Sequence, residues 1–157
     1  MSSANNAPSG ALPAICWGGF VAGTIDIGAA AVITQLSPIF IMKVVAGGLL
    51  GRSAFEGDAS VAALGLVLQW AMSIIIAAIF VIAARSLPGL LRRWIVSGIA
   101  YGVVVYFVMN YVVVPLSAIG KGFPAFDLYK FSANMVAMIL FGLIVAFFAQ
   151  RFLGHRD

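Results

Sequence analysis

The chain has 157 residues, 63% of them hydrophobic and 9% charged, with a formal net charge of +4 and a mean hydropathy of +1.11. Soluble domains run at about 45–50% apolar and about 25% charged, and a single core of this size cannot hide so large an apolar excess. The values exclude a soluble globular domain, a disordered segment, a nucleic-acid-binding domain and a disulfide scaffold, and leave lipid as the natural solvent.

Residues 1–10 are rich in Ser, Ala and Asn and carry no Lys or Arg. A secretory signal needs a basic stretch before its apolar core, so 1–13 reads as a flexible tail and the first apolar run as a retained span. Crossing the hydrocarbon takes about 20 mostly apolar residues. Four segments qualify: 14–35, which contains Asp26, and then 60–84, 94–116 and 131–149, which hold no charge. Between the first two lies a shorter apolar stretch that starts at Pro38 and runs into Gly47, Gly48 and Gly51. Proline suits a first helical turn and glycine a helix end, so a short helix is expected over 38–46, interfacial or re-entrant. The expected fold is an all-α membrane domain over 14–150, with four transmembrane helices, one short helix and a C-terminal tail over 151–157.

An even number of spans puts both termini on one side. That side holds Arg85, Arg92, Arg93, Arg151 and Arg156; the other holds Lys43, Arg52, Lys121 and Lys130 with the loop acids Glu56, Asp58 and Asp127. Basic residues favour cytoplasmic loops, short loops most of all, so the termini are expected in the cytoplasm. The cations read as span anchors facing lipid headgroups rather than as a nucleic-acid surface. Lys43 reads as a side chain reaching from an interfacial helix to water.

In lipid, helices associate through small residues that allow close approach and through polar residues that hydrogen-bond. Such residues recur at a spacing of four, which is one helix face. The stripes are Gly19, Gly23, Asp26 and Ala30; Gly65, Gln69, Ser73 and Ala77; Gly98, Gly102, Tyr106 and Asn110; and a weaker Asn134, Met138, Gly142 and Ala146. The glycines Gly19, Gly23, Gly65, Gly98 and Gly102 mark packing faces, to be filled by this chain or by another subunit. Asp26, Gln69 and Tyr106 share a middle layer, each about 13–18 Å from a span end by helical rise. Asn110 and Asn134 fall together nearer the outer face.

Asp26 is the one charge inside a span. An intramembrane acid is a functional-site candidate by default. Two readings stand side by side: Asp26 titrates or binds a cation in a polar cavity, or it only knits the spans together. Gln69, Asn110 and Asn134 read first as interhelical hydrogen-bonding groups. Cys16 and His155 are the single cysteine and histidine, which leaves no usual ligand set for haem, zinc or copper. No catalytic residue, metal or cofactor is assigned.

Three stretches carry a likeness to known proteins: 17–26; Gly47-Gly48-Leu49-Leu50-Gly51-Arg52-Ser53-Ala54-Phe55; and 106–117, which reads YFVMNYVVVPLS. They resemble small bacterial inner-membrane proteins of the YagU-like group, over about 17–149. The resemblance implies a multi-span bacterial inner-membrane protein and carries over no catalytic residue. The functions in view are transport of a proton, ion or small solute along a polar seam at Asp26, and an accessory role in a larger membrane complex. An enzyme acting on lipid or quinone lacks an acid–base pair or nucleophile. The expected partners are the bilayer and either further copies of this chain or a larger complex, without nucleic acid.

Overall fold

The computed structural model describes residues 10–120 and 127–154. Of the features named above, residues 1–9, the loop cation Lys121, and His155 and Arg156 lie outside the described residues. All regular elements among the described residues are helical. This is the arrangement lipid demands of an open chain, because a helix satisfies its backbone N–H and C=O groups within itself.

Helix α1 runs over Ala11–Thr34 and begins earlier than the apolar run implied. Pro13 falls in its first turn, where a missing N–H leaves no helical bond unmade. The helix stops at Gln35, which adopts the left-handed conformation with φ 57°. Ser37 then caps α2 (Pro38–Leu50), its hydroxyl accepting from the Phe40 N–H at 3.2 Å.

Helix α2 continues through Gly47 and Gly48 rather than ending at 46. Gly47 is buried beneath Ile119, whose side chain would stand 2.8 Å from an added Cβ. That glycine therefore serves close packing, and the helix ends instead at Gly51, where φ is +69°. A 3₁₀ turn over Gly51–Phe55 follows.

Helix α3 spans Ala59–Ser86 and is capped by Asp58, whose carboxylate accepts from the Ser60 N–H at 2.9 Å. A short turn of helix, α4 (Gly89–Arg92), leads into α5 (Trp94–Val108). The α5 path continues as a π-helical segment over Met109–Val113 and a last turn, α6, over Val114–Leu116. Pro115 accounts for the wider turn, since its ring would collide with the carbonyl four residues back in an α-helix. Helix α7 (Leu128–Leu153) is capped by Asp127, which accepts from the N–H groups of Tyr129 and Lys130.

Five helical segments among the described residues are long and apolar enough to cross a membrane: α1, Pro38–Phe55, α3, Trp94–Leu116 and α7. Pro38–Phe55 is not one straight rod, however. The Phe40 and Phe55 rings stack with centroids 5.6 Å apart, whereas one continuous helix would separate these residues by about 22 Å. The chain thus doubles back after α2.

Helix α1 packs between α3 and α7, α7 packs between α1 and α5, and α2 lies on α3. The tightest core joins Ala11, Ala14 and Ala22 of α1 to Ala77, Phe80, Val81 and Ala84 of α3 and to Phe141, Val145, Ala146 and Ala149 of α7. It sits toward the end of the bundle where α1 begins and α7 finishes. The small side chains let three helices approach closely there.

Candidate functional site: an intramembrane carboxylate

The site grows out of the α1–α3 contact. Gly23 of α1 lies against Ser73 of α3, whose Cβ would be 2.9 Å from an added Cβ, and Gly19 lies against the backbone of Ile74 at 2.6 Å. With the backbones this close, side chains on either flank of the contact line can bridge. On one flank the Gln69 Nε2 donates to Asp26 Oδ2 at 2.9 Å. On the other, the Trp70 Nε1 donates to Thr24 Oγ1 at 3.1 Å, and that hydroxyl donates on to the Phe20 carbonyl at 2.8 Å. The Phe20 and Trp70 rings, 4.9 Å apart, close this second flank.

Gln69 is buried and Asp26 half-buried. Asp26 lies about 12 Å from the C-terminal end of α1, and Gln69 about 15 Å from the N-terminal end of α3, by helical rise. Because α1 begins before residue 14, Asp26 lies about 5 Å from the midpoint of α1, displaced toward the end at which Asp58 caps α3. Its carboxylate accepts from Gln69 alone among the described residues. An ionised carboxylate has about four acceptor sites, so Asp26 keeps capacity for a proton or a cation. Among the described residues no three His, Cys, Asp or Glu side chains converge on one point.

The other polar residues are placed differently. Tyr106 is buried, its ring edge-on to Phe107 and Phe131 with both centroid distances 5.4 Å; Asp26 is not among its hydrogen-bond partners. The Asn110 Nδ2 donates to the Tyr106 carbonyl at 2.9 Å, within its own helix and at the π-helical segment. Asn134 is half-buried and makes no side-chain hydrogen bond among the described residues. The pair in direct contact is therefore Asp26 and Gln69.

The glycine faces are filled from within the chain. An added Cβ on Gly65 would strike the Met42 carbonyl of α2. Added Cβ atoms on Gly98 and Gly102 would stand 2.9 Å from Leu143 Cα and 2.6 Å from Ile139 Cα of α7. Gly142 faces Gly98 and Gly102 in return.

Two polar ties were missed in the sequence. One is the Thr24–Trp70 bond. The other is the Tyr101 hydroxyl, which donates to the Ile76 carbonyl at 2.6 Å and joins α5 to α3, its ring 5.0 Å from Phe80. The available signal was chemical: an indole N–H or a phenol inside a span needs an acceptor. Family models, curated proteins and solved structures give no match to this chain.

Proposed function

We propose that this chain is a multi-pass membrane protein in which Asp26 takes up and releases a proton or small cation during passage through the α1–α3 face. The observation that carries the reading is a half-buried carboxylate in a membrane span with a single protein donor, Gln69. A carboxylate retained only as a tie would be expected to spend more of its acceptor capacity on the protein, because each unmet site in hydrocarbon is expensive. Gln69 fixes one oxygen and leaves the other for the transported ion.

We further read the topology as four crossing helices, with α2 and its returning turn lying at one face. In support, only three residues separate the end of α1 from the start of α2. Near its far end the Gly48 carbonyl accepts from the Ala118 N–H at 2.8 Å, just beyond α6. Both ends of α2 thus lie beside span ends of the same face. Both termini then share the arginine-rich side, cytoplasmic by the positive-inside rule. The bacterial inner membrane is the location implied by the resemblance.

The test is flux into proteoliposomes of the purified chain under an imposed pH or cation gradient. The expected result is flux that Asp26→Asn abolishes and that Thr24→Ala, on the opposite flank, leaves. Absence of flux at every pH overturns the proposal. Recovery of a stoichiometric partner in mild detergent would then favour the accessory-subunit reading.

A further inference from the structure

At the arginine-rich end of the bundle, α3, α4, α5 and α7 surround a cavity of about 760 Å³. Arg85, from the last turn of α3, and Arg92, from α4, line it together with Trp94 and Gln150. Leu91 and Leu153, both half-buried, supply an apolar wall. Trp94 is held by an edge-on contact with Phe147, centroids 5.8 Å apart.

The charge here is one-sided. Arg85 and Arg92 are exposed and form no ion pair among the described residues. The described acids lie elsewhere: Asp26 inside α1, and Glu56, Asp58 and Asp127 at or before the opposite ends of α3 and α7. Trp94 and Gln150 also make no side-chain hydrogen bond among the described residues. Two guanidinium forks, an indole N–H and an amide therefore border one cavity with no acceptor assigned to them.

We propose that this cavity binds the phosphate of an anionic phospholipid headgroup. Guanidinium forks match phosphate oxygens in bidentate geometry, and basic pockets between membrane helices suit anionic headgroups. The apolar wall and the tryptophan at a span end favour a lipid over a free phosphate, since they place the site where acyl chains begin. This inference rests on different residues from the Asp26 reading and stands independently of it.

The test uses the full chain in detergent micelles, titrated with phosphatidylglycerol or phosphatidylcholine, with retained lipid counted by native mass spectrometry. Phosphatidylglycerol is expected to be retained at concentrations about thirtyfold lower than phosphatidylcholine, given two arginines near the headgroup. The double substitution R85Q/R92Q is expected to remove that preference while helicity and elution volume stay unchanged; R85K/R92K is expected to keep part of it. R93Q/R151Q, which spares the lining residues, is expected to leave it intact. Equal retention of the two lipids overturns the proposal, as does an equal loss in R93Q/R151Q, which would mean diffuse charge. Displacement of the lipid by millimolar inorganic phosphate would reassign the site to free phosphate and overturn the lipid proposal.

Discussion

The Asp26–Gln69 pair can be measured by itself. Interhelical hydrogen bonds inside membranes average about 0.6 kcal/mol and reach about 1.7 kcal/mol. A double-mutant cycle with Asp26→Ala and Gln69→Ala, each of which removes the bond, should return a coupling in that range by thermal unfolding in detergent. A value near zero would mean that the two side chains act separately. Asp58 offers a second residue-scale prediction. The Ser60 hydroxyl and then the Ser60 backbone N–H donate to its carboxylate, and these bonds hold its pKa below the usual carboxylate range. A depressed folded pKa means that the cap's contribution is present above the unfolded value and is lost as pH falls through the folded one. The first turn of α3 should therefore stay protected near neutrality and fray only below about pH 4. Amide exchange at Ser60 and Val61 reads this directly, and Ser60→Ala should move the fraying to higher pH.

At the scale of elements, glycines of the same type serve opposite ends. Gly102 lies in the α5–α7 contact, so a methyl group there has no room without separating the helices. Gly102→Ala should destabilise the fold by about 1–3 kcal/mol, the usual range for overpacking. Gly28 in α1 has nothing within 4 Å of an added Cβ. Gly28→Ala should instead be neutral or stabilising by about 0.5–1 kcal/mol, the helix penalty of glycine. Melting of both variants in one detergent checks the contrast, and equal destabilisation would contradict the helix packing. The periodicity of small residues named the packing faces in advance because lipid-embedded helices select them by size. It could not say whether a face meets its own chain, since another subunit would need the same glycines. Nor did the hydropathy pattern show the π-helical segment before Pro115, where Asn110 and Tyr111 interrupt an otherwise apolar run without changing its reading as one helix.

For the whole molecule, the decisive issue is where α2 lies. After replacement of Cys16 by Ser, single cysteines at Ser37, Glu56 and Ser86 can be labelled from either side of sealed vesicles. The four-span reading expects Ser37→Cys and Glu56→Cys to react from one side and Ser86→Cys from the other. Reaction of Ser37→Cys and Glu56→Cys from opposite sides would instead make Pro38–Phe55 a fifth crossing. Mean hydropathy alone does not separate the outcomes, because the segment is both long and apolar enough. The stacking of Phe55 on Phe40 bears on the answer, and no local rule joins those two residues.

By itself the sequence determined the solvent, the helical class, the approximate limits of the long apolar helices, and the place of Asp26 as an acid within the first of them. These follow from composition and from periodicity along one chain, which act locally. Only the tertiary structure decided which polar side chains meet. Residues at equal depth need not face one another, because depth is fixed by helical rise but facing is fixed by rotation and by the order of neighbours. Helix α1 packs between α3 and α7, so Asp26 bonds to Gln69, while Tyr106 turns to Phe131 on α7.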